Sequence, residues 1–202
     1  NSWMQTPAGA ELSADGTQAL LTNFLDAAFN ATTAPRYFHT VDALLIMGAF
    51  MALAIGAWYL KHGRHTEFAM KTVRVASVIA LATTCIMVAF AHQSAVVVAD
   101  EQPTKFAMME GAYNGEAMPL YAVGWVDEAS QEVVAPLAIP GGTSFLASGT
   151  FDKEYPGLND FAADERPDAV NLVFQTYHIM VAMFGLIVLV LIAAFLASRG
   201  KC

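Results

Sequence analysis

Residues Ile179–Leu196 read IMVAMFGLIVLVLIAAFL, eighteen residues without a charged, amide or hydroxyl side chain. A helix needs about 20 apolar residues to cross the hydrocarbon of a bilayer. A segment this uniform has no polar face to turn to water, so it reads as a helix apolar all round. Two further runs repeat the pattern. Val41–Leu60 (VDALLIMGAFMALAIGAWYL) carries a single charge, Asp42. Val75–Ala91 carries none, and its helical pattern continues to Ala99. Three such runs in 202 residues argue against three buried helices of one soluble domain.

Composition agrees. Hydrophobic residues make up 56% of the chain and charged residues 14%, with a mean hydropathy of +0.46. A soluble domain carries about 25% charged residues. An ordinary cytosolic enzyme, a disordered tail and a collagen-like fibre are excluded. A net charge of −8 with only 10 Lys and Arg excludes nucleic acid as a partner. Cys85 and Cys202 make no disulfide framework and no Cys-x-x-Cys motif, and Cys85 is expected to pack within the second helix. The chain opens without an initiator Met or a signal-peptide pattern, so it is expected to be a piece of a longer protein.

Lys and Arg in short loops set the orientation of membrane helices. The link Lys61–Arg74 holds Lys61, Arg64, Lys71 and Arg74 against one acid, Glu67, and the C-terminal end adds Arg199 and Lys201. Those ends are expected on the cytoplasmic side. The stretch Asp100–Asp168 holds 13 acids and three bases, which puts it outside. The expected fold class is an all-α membrane protein, a fragment of a larger helical bundle. It has three transmembrane helices, an outer amphipathic helix and a long extracytoplasmic loop. Its segments are an outer-surface stretch 1–34, helices over 35–60, 75–99 and 169–198, a cytoplasmic loop 61–74 and the outer loop 100–168. Pro35 suits the first turn of the first helix, and Asp168 is the expected N-cap of the third. The amphipathic helix is expected over Thr17–Asn30, where Leu20, Leu21, Phe24, Leu25 and Phe29 share a face. The outer loop is too long for a plain connector. Turns are expected in it at Pro140-Gly141-Gly142 and Pro156-Gly157.

Chemistry-bearing residues collect at one depth. His39, His92, His178 and Met180 all lie at the outer ends of the apolar runs, and ionisable groups there are costly and usually functional. A haem, planar and apolar, needs two axial groups from facing helices, and imidazole and thioether both serve. His178 and Met180 are two residues apart, about 200° around a helix, so they do not both face one haem. Spacing alone does not choose between them. Two histidines are the commoner pair, and Met180 with Met183 also reads as simple packing. His62 and His65 read as solvated residues of the basic loop. In the outer loop Pro103 opens a short helix carrying Lys105 and Glu110, about 140° apart. That angle makes a poor ion pair but suits two groups flanking a third object, such as the oxygens of a ligand. Two solvated charges are the bland alternative.

Four stretches together resemble subunit I of the bacterial cytochrome bd quinol oxidases. Asn1-Ser2-Trp3-Met4-Gln5-Thr6-Pro7 is similar to the family's N-x-W-M-Q-x-P stretch. Phe38-His39-Thr40-Val41 resembles its segment with the His ligand of the low-spin haem b. Gln102-Pro103-Thr104-Lys105 with Glu110 resembles the start of its outer Q-loop. Ile179-Met180-Val181-Ala182, followed by Gly185, resembles the segment with the Met ligand of the same haem. The resemblance implies that His39 and Met180 are axial ligands of a low-spin haem b iron. It implies that Lys105 and Glu110 act in quinol oxidation. The expected partners are quinol, subunit II, the remaining helices of subunit I and the lipid bilayer. The expected location is the bacterial cytoplasmic (inner) membrane, with the long loop on the periplasmic side. The high-spin haem b and haem d that reduce dioxygen are expected on a part of the subunit outside this chain. Three departures stand out. The loop is short for the family, His178 stands where some members carry Arg, and Asp42 is not in the pattern. Two rival functions remain at this stage, a stand-alone membrane b-type cytochrome and a non-catalytic membrane subunit.

Overall fold

The computed structural model describes residues 2–199, so Asn1, Gly200, Lys201 and Cys202 lie outside the described residues. In chain order the elements are α1 (Ser2–Gln5), β1 (Ala10–Leu12), β2 (Ala19–Leu21), α2 (Phe24–Ala28), α3 (Thr33–Lys61), α4 (Thr66–Glu101) and α5 (Pro103–Glu110). They continue with β3 (Glu116–Ala117), β4 (Leu120–Asp127), β5 (Glu132–Ile139), α6 (Gly142–Ser148), β6 (Glu154–Tyr155), a 3-10 turn (Leu158–Asp160) and α7 (Val170–Arg199). α3, α4 and α7 are each long and apolar enough to cross a membrane. The chain is mostly helical, and it divides into two compact units, residues 1–94 with 187–202, and residues 95–186.

In the first unit α3 and α4 pack through small residues. Ala49 and Leu53 of α3 meet Val73, Ala76 and Ala80 of α4, and Leu191 of α7 closes the cluster. Small side chains let helix backbones approach closely, which is how membrane helices gain contact without a hydrophobic driving force. The opposite faces are apolar and exposed, with Leu44, Met47, Met51 and Ile55 on α3 and Val75, Val78, Ile79 and Ile86 on α4. Such faces are ordinary in lipid and untenable over this length in water. Cys85, expected to pack, lies on an exposed face instead.

α3 begins at Thr33, two residues before Pro35, which sits within the first turn. Its start is tied to the N-terminal segment. Buried Thr6, Asn30 and Thr32 bond to one another, Thr6 Oγ1 lying 3.0 Å from Asn30 Oδ1 and 2.8 Å from Thr32 Oγ1. Arg36 donates to Gln5, and the Trp3 indole N–H donates to the Ala8 carbonyl. The expected link 61–74 is largely helical, because α4 starts at Thr66 and keeps Lys71 in an exposed i,i+4 pair with Glu67.

The expected amphipathic helix over Thr17–Asn30 is replaced by a hairpin and a five-residue helix. Asp15 accepts from the Thr17 N–H and from the Ser13 and Thr17 hydroxyls, which turns the chain at Gly16. Leu20 and Leu21 therefore pair with Glu11 and Ala10 in a strand. The Asn23 side chain then accepts from the Leu25 and Asp26 N–H groups, so the helix starts only at Phe24. Leu20, Leu21, Phe24, Leu25 and Phe29 remain exposed.

In the second unit the outer loop is ordered around two two-stranded antiparallel sheets rather than helix alone, β3 with β6 and β4 with β5. Two apolar clusters fill it. Ala107, Met108, Tyr113, Val126 and Leu158 pack on Val170 and Phe174 at the start of α7. Phe106, Ala112, Met118 and Tyr155 pack on Ala99 at the end of α4. The β4–β5 hairpin is stitched to α7: the Val126 N–H donates to Asn171 Oδ1 (3.0 Å), and Gln175 Nε2 donates to the Gly124 carbonyl (2.8 Å). Glu128 at the hairpin tip accepts from the Asn171 N–H (2.9 Å). That orphan donor in the first turn is thus met across the hairpin rather than by Asp168.

Candidate functional site

α5 is positioned by its own sequence. Pro103 sits in the first turn, where its missing N–H costs nothing. Phe106, Ala107 and Met108 bury the helix in the second unit. Gly111 ends it in the left-handed conformation (φ 67°). A Cβ there would lie 2.6 Å from Val126 Cγ2, so only glycine serves. Glu110 is therefore the last helical residue, held against the β4–β5 hairpin. Gly111→Ala is expected to destabilise the loop by about 1–3 kcal/mol, read as a lower thermal midpoint of unfolding; an unchanged midpoint would show that the hairpin yields freely.

The Glu110 carboxyl is 2% exposed. Among the described residues its one hydrogen-bond partner is Thr143, whose Oγ1 lies 3.2 Å from Oε2. Burial penalises the charged form and pushes the carboxyl up to about 8, while the Thr143 bond works the other way. Lys105, five residues earlier, is half-buried and donates to Gln102 Oε1 at 3.5 Å. The two expected quinol-site residues thus share one helix with different surroundings, one a dry acid and the other a cation at the helix margin.

Tyr121 of β4 stands beside this acid. Burial pushes its phenol up to about 12, and the charges of Glu116 and Glu110 add to the effect. Its ring meets Phe174 edge-on at 5.5 Å and His178 at 6.2 Å. The His178 ring lies over Phe174 at 4.1 Å. His178 Nδ1 is 2.8 Å from the Phe174 carbonyl oxygen, which only accepts, so the neutral ring carries its proton on Nδ1. His178 Nε2 is buried with no hydrogen-bond partner among the described residues. Tyr121 also lines an open groove with Glu116, Pro119, Pro140, Gly141 and Phe151. A planar ring with two polar ends suits such a wall of aromatic and proline surface with few polar groups.

The four residues expected at haem depth divide between the units. His39 and His92 belong to the first, His178 and Met180 to the second. His39 is half-buried and its Nδ1 is buried with no partner among the described residues. Asp42, one turn on, is 6% exposed and its Oδ2 is likewise unpartnered among them. His92 and Met180 are exposed. Thr143 and Tyr121 were not among the sequence-derived candidates. The Pro140-Gly141-Gly142 turn that delivers Thr143 is legible in the sequence, but its target is not.

The chain belongs to the cytochrome bd terminal oxidase subunit I family, which it matches over residues 1–201. It is 33% identical over 169 residues to cytochrome bd-II ubiquinol oxidase subunit 1 of Escherichia coli, covering 83% of this chain and 33% of that protein. It is 21% identical over 211 residues to cytochrome bd ubiquinol oxidase subunit 1 of Bacillus subtilis, covering 100% of this chain and 45% of that protein. Its fold matches the bd oxidase of Geobacillus thermodenitrificans with a TM-score of 0.88 at 26% identity, over 100% of this chain and 46% of that one. The chain therefore spans about a third to under half of the length of these relatives.

Proposed function

We propose that this chain is the quinol-oxidising, low-spin haem b-binding segment of a cytochrome bd-type terminal oxidase. In the full complex, quinol oxidation is coupled to reduction of dioxygen to water. Family membership favours this reading over a stand-alone b-type cytochrome or a non-catalytic subunit. The observation that carries it is Glu110, a dry carboxyl whose charge acts on Tyr121 in the wall of an open groove.

Quinol gives up two protons and two electrons. Glu110 in its ionised form accepts a proton from a quinol hydroxyl, and Lys105 hydrogen-bonds a quinone oxygen or stabilises anionic character on it. A buried acid with a value near 8 is matched to proton transfer near neutral pH. His39 and Met180 are the residues that would hold the low-spin haem. The Nδ1 of His39, buried and without a hydrogen-bond partner among the described residues, supports its place as a ligand, and the exposed Met180 offers a soft thioether. When bound, the haem supplies a one-electron acceptor whose potential a His/Met pair raises. The high-spin haem b and haem d belong to the part of subunit I outside this chain. Subunit II and the remaining helices of subunit I complete the assembly. The complex sits in the bacterial cytoplasmic membrane with the long loop on the periplasmic side, which would release quinol protons outside.

The test is the pH dependence of quinol oxidation by the assembled oxidase in membranes. Because Glu110 works as a base, the rate is expected to rise with pH through a midpoint near 8. A rate that is flat over about pH 6 to 9, the span over which such a group changes state, would remove Glu110 from the role.

A further inference from the structure

Thr143 stands in the first turn of α6, buried, with its Oγ1 3.2 Å from Glu110 Oε2 and 3.0 Å from the Pro119 carbonyl oxygen. A threonine hydroxyl has one proton to give and two lone pairs to accept with. The Pro119 carbonyl only accepts. An ionised Glu110 only accepts as well, so the single Thr143 proton then has two competing acceptors, and the charged one makes the stronger bond. A protonated Glu110 can donate to Thr143 Oγ1, and the Thr143 hydroxyl can then donate its own hydrogen bond to the Pro119 carbonyl. Both bonds are then satisfied at once.

The scaffold around Thr143 is fixed. Its N–H and that of Ser144 both donate to the Met118 carbonyl, at 3.1 and 3.2 Å. The Ser144 hydroxyl accepts from the Met118 N–H (2.8 Å) and donates to the Lys153 carbonyl (2.7 Å). Gly141, in the left-handed conformation before them, has the Phe151 carbonyl oxygen 2.1 Å from where a Cβ would stand. With its heavy atoms held this way, the Thr143 O–H bond alone has to turn.

We propose that Thr143 is the positioning residue that pairs Glu110 in both of its protonation states, its hydroxyl turning between the carboxylate and the Pro119 carbonyl as a quinol proton arrives and departs. This rests on Glu110 being the proton acceptor for quinol. The other titratable groups around the acid are Tyr121 of β4, with Glu116 and His178 beside it, Tyr177 of α7, and Lys105 on α5 itself. Tyrosine ordinarily titrates at about 10, so the two phenols add no step near 8.

The experiment is infrared difference spectroscopy of the assembled oxidase in membranes, following the C=O band of the protonated carboxyl that disappears in Glu110→Gln. Thr143→Val keeps the side-chain shape and removes the hydroxyl. The ionised acid loses more than the neutral one, so the midpoint of the band is expected to rise by about one pH unit. Thr143→Ser is expected to restore the parent midpoint. If Thr143→Val does not assemble, Thr143→Ala carries the same expectation. The rising limb of quinol oxidation is expected to shift by the same interval. An unmoved band midpoint overturns the proposal. A band that moves while quinol oxidation does not follow keeps the Thr143–Glu110 pairing and overturns its link to quinol.

Discussion

Glu110→Gln is expected to lower quinol-driven oxygen uptake by about 100- to 10,000-fold while haem content stays the same. Glutamine has the shape of glutamate and can accept from the Thr143 hydroxyl, so the packing around α5 survives. It cannot take up a proton. Quinol oxidation then has to deliver its proton directly to water, which the 2% exposure of this site impedes. Oxygen uptake by membranes, with an absorption spectrum as the control for assembly, separates the two effects. A variant within about tenfold of the parent would place the proton acceptor on another residue.

The same substitution has a signature in stability. Folding raises the Glu110 value from 4.5 to about 8, so the native state holds a proton that the unfolded chain releases. The resulting stabilisation is complete below about 4.5 and is lost as pH rises through about 8. Glu110→Gln is expected to flatten that slope.

His39→Ala and Met180→Ala are each expected to abolish the low-spin haem b signal in a reduced-minus-oxidised spectrum and to leave the high-spin haems in place. Removal of an axial ligand takes away the ligand field that keeps the iron low-spin. Alanine is the best helix former, and α3 is anchored at its start by Thr6, Asn30 and Thr32. Loss of the signal would therefore report ligation rather than unfolding of α3. Spectra unchanged in both variants would shift the ligand role to His92 and His178.

The three long helices are legible in the sequence because lipid demands uniform apolarity over a fixed length, and that demand leaves a local mark. Pro103 and the αL-capable Gly111 bracket α5 in the same local way. The Thr17–Asn30 segment misleads because its apolar spacing fits a helix, whereas Asp15-Gly16 and Asn23 provide backbone partners that cut the helix short. The hairpin β4–β5 is hard to read because Gly124 and Pro136 interrupt its alternation and its register shifts between Tyr121 and Trp125. Glu110 could be named as a candidate from the chain, but its dryness could not. That depends on tertiary placement, Thr143, 33 residues away, being its hydrogen-bond partner. The proposed axial ligands were ambiguous in spacing for a related reason: Met180 looks like any other methionine of an apolar helix.

The stitching of β4–β5 to α7 has a consequence for how this loop tolerates change in length. Tied only at its ends, a 69-residue excursion would behave as one large ring. Tied also at Gly124 and Val126, it becomes two smaller rings joined at a knot. Closure entropy grows only slowly with ring size, so the second ring can absorb added residues at the exposed tip near Ser130 at little cost. The first ring holds Glu110, Gly111 and Met118 in direct contact with its neighbours, and a single added residue there would rotate the acid away from Thr143. Length added at that tip leaves the Glu110–Thr143 pairing in register, whereas length added between Glu110 and Met118 does not.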